Sequence, residues 1–325
     1  MKSKFEGVIC ADIPGDWRGH GWLSKESLEK LKGASDTPFR CVTHPEYLCT
    51  EYDIKLNLFT FGRFKCRLPM TVVGFPASID HVGYEGMFSA LVRDYKRRKG
   101  LFLALNLLEE PGLPVAKAQT LATCVFSSAY SSFEAYVAAL RSGYRRRILA
   151  ALEKGKALAV CKIENSDFTE EMHGLYLQVL LHSKYPLETL NSDFFRRFEG
   201  DIFAFYEGET AVAFTALLRK GERLHFIFGG MDYEKRDRLD LYYNMLLFIL
   251  RYGIACGAKA IDYGQTAEQT KLRLGCDLER RYMAAFCGNR CIDWLLRHFG
   301  GMLGYKEPLN DYRVFSDPGK KDVRN

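Results

Sequence analysis

The stretch from Arg223 to Gly275 constrains the fold most, because its hydrophobic period changes from strand to helix and back within fifty-odd residues. Leu224-His225-Phe226-Ile227-Phe228 is a short apolar and aromatic run of strand type. Gly229-Gly230 breaks it, and Lys235, Arg236 and Arg238 charge the loop that follows. Leu239, Tyr242, Tyr243, Leu246, Leu247, Leu250 and Ile254 then recur at steps of three and four, the spacing of one helix face. Gly253 and Gly257 punctuate its end. Ala260-Ile261-Asp262-Tyr263 is the next expected strand. Gly264-Gln265-Thr266 turns into a short helix that reaches Lys271 and stops at Gly275.

The rest of the chain supplies further elements. Gly7 to Ala11 is an expected strand ended by the Pro14-Gly15 turn, and Ser24 is an N-cap candidate for a short helix. Phe39 to Val73 alternates as strands do, most clearly over Leu56 to Phe61 and Met70 to Val73. Met87 to Lys99 has helical spacing, Gly100 ends it, and Leu101 to Leu105 is a buried strand. That order repeats the one around Arg223 to Gly264, with Gly100 and Gly257 in equivalent places, so an internal repeat is expected. Thr120 to Phe126 is a strand. Ser131 to Gly155 reads as one long helix with an apolar stripe and a basic side carrying Arg141, Arg145, Arg146, Arg147 and Lys154. That basic side is either solvated or an anion site. Ala157 to Ile163 is a strand, and Thr169 to Leu181 and Leu187 to Phe198 are helices. Asp201 to Tyr206, Ala211 to Leu218 and Leu224 to Phe228 form a meander, followed at the end by a strand at Tyr282 to Phe286 and a helix at Ile292 to Phe299.

A chain of 325 residues points to two domains or one duplicated domain. Pro111, Gly112 and Pro114 mark the expected boundary. The net charge of +6 is below the level of a dedicated nucleic-acid binder and suits an anionic ligand as well as an ordinary surface. Ten cysteines are scattered without a Cys-x-x-Cys pair, and Cys287 and Cys291 have no histidine pair nearby, so no metal is expected and a reducing, cytoplasmic setting is. No segment has the roughly 18 uncharged residues of a membrane helix. The Met1 to Ala11 segment lacks a signal-peptide run.

The order of elements, with Asp262-Tyr263-Gly264-Gln265 followed by Lys271-Leu272-Arg273-Leu274-Gly275, resembles the GNAT superfamily of acyltransferases. It looks most like the branch with two GNAT-like halves per chain, related to the Fem-type, peptidoglycan-bridge aminoacyltransferases. The resemblance implies an α+β fold of two tandem GNAT-like halves, mixed central sheets flanked by helices, the second half more complete. On that basis residues 1–115 are a degenerate first half, 116–156 a closing strand and linking basic helix, 157–306 the C-terminal GNAT-like domain and 307–325 a tail. The implied activity is transfer of an acyl group from an acyl-CoA thioester to an amine of a small molecule or cell-envelope precursor. A Fem-type reaction with aminoacyl-tRNA as donor and a non-catalytic ligand-binding protein are the alternatives. The family's phosphate signature, Arg/Gln-x-x-Gly-x-Gly/Ala, is absent.

Under this resemblance the cofactor-binding candidates are Gly229, Gly230, Lys235, Arg236, Arg238 and Gln265. A glycine-bearing loop before a helix offers amides to a pyrophosphate. Asp232, Glu234, Asp237 and Asp240 in the same loop oppose it or cap the helix. The catalytic candidates are Lys271, Tyr263, Asp262 and His182. Lys271 stands where many GNAT enzymes carry a tyrosine that protonates the departing thiolate; the plain alternative is a surface lysine. Tyr263 is an oxyanion donor or acid, or a core ring with its hydroxyl satisfied by backbone. Asp262 orients or deprotonates the amine. His182 has the intrinsic pKa of a general base, against a helix-end capping role. His225, alone in an apolar strand in alternation with Phe226 and Phe228, reads as structural.

Overall fold

Short strands and helices alternate along the chain where the hydrophobic period changes. β1 (Val8–Cys10), α1 (Lys25–Leu31), β2 (Phe39–His44), β3 (Tyr47–Asn57), β4 (Arg67–Val73), β5 (Tyr84–Gly86), α2 (Phe88–Tyr95) and β6 (Leu101–Leu107) come first. β7 (Ala116–Ser127), α3 (Phe133–Ala139), α4 (Ser142–Lys154), β8 (Leu158–Ile163), α5 (Glu170–Leu181) and α6 (Ser192–Arg196) follow. The meander β9 (Asp201–Glu207), β10 (Thr210–Lys220) and β11 (Arg223–Met231) leads to α7 (Arg236–Leu239) and α8 (Leu241–Ala255). β12 (Ala260–Asp262), α9 (Glu268–Leu272), β13 (Asp277–Cys287) and α10 (Arg290–Phe299) complete the set. The computed structural model describes residues 4–14, 17, 24–57, 67–76, 82–184, 189–306 and 312–316. The expected turn at Gly15, the strand residues 58–61 and the helix start at 187–188 lie outside them.

The chain forms two compact units. One gathers Met1–Ala122, Tyr185–Phe194 and Arg280–Glu307; the other gathers Thr123–Lys184, Phe195–Glu279 and Pro308–Asn325. In the first unit the sheet runs β1, β2, β3, β4, β6, β13, with β4 parallel to β6 and β13 antiparallel to β6. Tyr95, Phe102 and Phe286 fill one face of it, and Tyr52, Met70, Leu103 and Ala285 the other. In the second unit the sheet runs from the C-terminal part of β7 through β12, β11, β10 and β9 to β8, with β11 parallel to β12 and β12 antiparallel to β7. Its main core joins Phe126, Tyr136, Ile148, Leu224, Leu246, Leu250, Ile261 and Tyr263.

The two units repeat one device. Each has a parallel pair joined by a helix and a glycine of positive φ, Gly100 (129°) before β6 and Gly257 (70°) before β12. An L side chain is costly in that conformation, which explains the glycine at both places. Each sheet also takes its next strand from the sequence that follows the other's parallel pair: β7 follows β6 but pairs with β12, and β13 follows β12 but pairs with β6. The compact units therefore differ from the sequence ranges: residues 280–306 cluster with the first 122, and 123–156 with the second unit.

Two expectations are corrected. The single helix over Ser131 to Gly155 is two, because Leu140 and Arg141 are extended, with ψ of 146° and 150°. Leu140 bridges to Phe315, and the Arg141 amide donates to Val314 O at 3.0 Å. The second expected helix, Leu187 to Phe198, is helical only over Ser192–Arg196. Within the expected tail, Val314 is buried and Phe315 packs on the core of the second unit. None of the described helices is long and apolar enough to cross a membrane.

Candidate active site

β11 and β12 run in register for three residues only, Arg223 with Ala260, Leu224 with Ile261 and His225 with Asp262. β12 stops there, and β11 continues from Phe226 to Met231. The opening begins at the last pair. Leu224 and Ile261 bury themselves in the core beneath α8, so strand alternation turns His225 and Asp262 to the other face. There the His225 Nδ1 lies 3.4 Å from Asp262 Oδ2. The His225 side chain is 25% exposed and that of Asp262 5%. Asp262 Oδ1 accepts the Gly264 amide at 2.8 Å. Burial raises the Asp262 pKa, but the His225 contact and the Gly264 amide outweigh it and hold the carboxyl below its ordinary value. The carboxylate thus favours an imidazole with the proton on Nδ1, leaving the Nε2 lone pair for another partner.

His225, expected to stand alone in its strand, is thus paired with Asp262. Nothing local distinguishes a buried strand histidine from a paired one; the partner lies on a parallel strand 37 positions away. The alternation argument also fails two residues on. Register slips between Ala216 and Leu217, leaving Ile227 as the extra residue of a β-bulge. Phe226 packs beneath α8, whereas Phe228 meets Tyr176 of α5 edge-on at 6.0 Å.

Lys271 is buried, not a surface lysine, with 2% of its surface exposed. Its ammonium donates to Gln265 O at 2.7 Å and Gly264 O at 3.2 Å. Gly264, Thr266 and Ala267 have φ of 68°, 64° and 49°, so Lys271 fastens a left-handed loop directly after Asp262. Desolvation lowers the Lys271 pKa from the ordinary lysine value. Tyr263 points into the core. Its hydroxyl donates to Leu246 O at 3.1 Å, and burial pushes its pKa well up. That takes up the hydrogen the oxyanion or acid role requires. His182 caps the end of α5: its Nδ1 lies 2.8 Å from Gln178 O, and its ring stacks on Tyr233 at 3.8 Å between centroids. Tyr263 and His182 thus meet the Leu246 and Gln178 carbonyls rather than the His225–Asp262 pair.

The expected phosphate loop is different in kind. Gly229 and Gly230 belong to β11 rather than to a loop. A Cβ at Gly230 would lie 2.6 Å from the Tyr176 amide nitrogen, and one at Gly229 2.8 Å from Met245 Cε, so both glycines permit close packing of helices on the strand. Lys235 and Arg238 both pair with Glu207, at 3.3 and 2.8 Å. Arg236 pairs with Asp237 at 2.8 Å. Asp240, before α8, holds Arg147 through two hydrogen bonds of 2.6 and 2.8 Å. Gln265 contributes its backbone carbonyl to Lys271. Among the described residues no group of three or more His, Cys, Asp or Glu is placed to hold a metal.

Residues 180–272, which span the meander, α8, β12 and α9, match a family described as an acetyltransferase (GNAT) domain. A C-terminal domain from Agrobacterium fabrum, named for lysylphosphatidylglycerol synthetase, superposes with a TM-score of 0.52 at 12% identity, over 86% of this chain and 91% of that one. L-PGS from Bacillus licheniformis gives 0.49 at 12% identity, covering 87% and 97%. FemX gives 0.48 at 10%, covering 82% and 92%. At such identities the likeness is one of fold. No curated protein matches the sequence significantly.

Proposed function

We propose that this chain, an acyltransferase of the GNAT type, moves an acyl group from an acyl-CoA thioester to an amine of a small molecule or a cell-envelope precursor. The observation that carries the reading is the His225–Asp262 pair where β11 and β12 part. An amine attacks a thioester carbonyl only as the free base. His225 Nε2 accepts its proton while the N–C bond forms, and Asp262 stabilises the imidazolium. The C–S bond then breaks, and the leaving thiolate takes that proton from the His225 imidazolium. Lys271 is a positioning residue, because it fixes the carbonyls of the loop that aims Asp262. The edge of β11 beyond His225 offers backbone groups to an amide-bearing arm such as that of coenzyme A, in the manner of an added strand.

A second reading replaces the donor by an aminoacyl-tRNA. The pairing of Lys235, Arg236, Arg238 and Arg147 with acids keeps it open, since a pyrophosphate clamp in this loop would need cations with charge to spare. Calorimetric titration with acetyl-CoA and longer acyl-CoAs separates the two: saturable binding is expected, and silence for all of them beside tight, salt-sensitive binding of charged tRNA moves the assignment to the second donor. His225→Gln is expected to lower single-turnover transfer to a panel of amines by about a hundredfold or more with unchanged donor affinity. Wild-type transfer by that variant would remove His225 from the mechanism.

A further inference from the structure

α10 has an outward face that a surface helix does not ordinarily carry. Asn289 starts it by accepting the amides of Cys291 and Ile292. Asp293 and Leu296 are buried and anchor its inner side. Asp293 holds Lys96 at 3.0 Å, Arg297 Nε at 3.3 Å and the Cys287 amide at 3.3 Å. At 100° per residue the opposite side falls to Cys291, Trp294, Leu295 and His298. Ile292 and Phe299 border it on one flank, and Arg290 and Arg297 on the other. Trp294 is 56% exposed and Leu295 47%, with Ile292, Phe299 and Met302 in the same range. Solvent-facing positions of a surface helix are normally polar, and a contiguous apolar patch of this kind marks a binding surface.

We propose that this face of α10 docks on an anionic lipid bilayer. Charge complementarity selects that occupant. Between residues 288 and 306 the sole acid is Asp293, which is buried and paired, so the outward face carries cations and apolar groups without a carboxylate. Tryptophan and phenylalanine suit the headgroup boundary, and Arg290 on one flank reaches lipid phosphates. A second copy of the chain fits less well, because the outward face offers no carboxylate to receive Arg290 of a partner copy. The inference does not depend on the acyl donor.

The test is co-sedimentation of the full chain with vesicles of phosphatidylglycerol or of phosphatidylcholine. Saturable binding to the anionic vesicles is expected, weaker at high salt, with Trp294→Ser/Leu295→Ser weakening it by about tenfold or more. Arg290→Gln should weaken binding to the anionic vesicles alone. A blue shift of tryptophan emission with anionic vesicles, absent from Trp294→Phe, reads the same contact in a chain that keeps its packing. A wild-type chain left in the supernatant overturns the proposal, as does equal binding by the double variant. A concentration-dependent dimer that the double variant abolishes, without vesicle binding, assigns the face to a second copy instead.

Discussion

Lys271 and Tyr263 are functional polar groups by position and structural ones by contact. A buried ammonium held by two carbonyls is costly to create and costlier to leave half-made. Lys271→Met removes the charge but also the hydrogen bonds to Gly264 O and Gln265 O. Its expected cost is about 2 kcal/mol of folding stability, read from urea unfolding at neutral pH. The pH dependence has a definite sign. The folded-state pKa lies below the ordinary 10.5, so between those two values the unfolded chain binds more protons at this site. Wild-type stability relative to the variant therefore rises as pH climbs through that window toward 10.5. A variant as stable as wild type at all pH values would place Lys271 outside the framework of the loop.

At the scale of elements, the junction between α3 and α4 turns an apparent surface charge into a structural one. Arg145 bends back to the end of α3, donating to Ala138 O and Leu140 O at 2.8 Å each and to Val137 O at 3.2 Å. A helix end leaves its last carbonyls without α-helical partners, and here Val137 O also accepts the Leu140 amide at 3.3 Å. Arg145→Met is expected to cost about 1 to 2 kcal/mol in denaturant unfolding. Arg146→Met, one residue on and exposed, should stay within about 0.5 kcal/mol. Equal effects at both positions would show that the arginine–carbonyl contacts contribute nothing. The same helices also explain Arg147, whose guanidinium both pairs with Asp240 and covers the Tyr243 ring at 4.2 Å.

At the scale of the molecule, the expected C-terminal domain of residues 157–306 becomes a testable object. Within the second unit, β7 pairs Ser127, Phe126 and Val125 with β12. α3 and α4 bring Phe133, Tyr136, Ile148 and Ala151 into the core, and Val314 joins them from the tail. A fragment of 157–306 lacks all of these. It would expose the apolar surface of the second unit's core that these residues cover, at about 25 cal/mol for each Å² returned to water. The fragment is expected to show no cooperative thermal transition by circular dichroism, while the full chain does. A sharp transition in the fragment would establish 157–306 as an autonomous domain.

Much of this protein is local, and that part the sequence determined. Period, caps and glycines place nearly every strand and helix: Ser24 and Thr169 cap α1 and α5 through their own side chains, and Gly100 and Gly257 take the positive φ that ends a helix before a strand. The α+β order and the likeness to the acyltransferase fold follow from that succession, because an element's period depends on its own residues. What only the tertiary structure decided is pairing between distant segments. The exchange of β7 and β13 between sheets depends on which edge each strand meets, and hydrophobic period is the same on either edge. The break at Leu140 comes from a bridge to Phe315, the burial of Lys271 from the loop it fastens, and the meaning of His225 from Asp262 on the neighbouring strand. A side chain's chemistry is written in its type, but its role is set by the charge and carbonyls that the fold brings within about 3 Å of it.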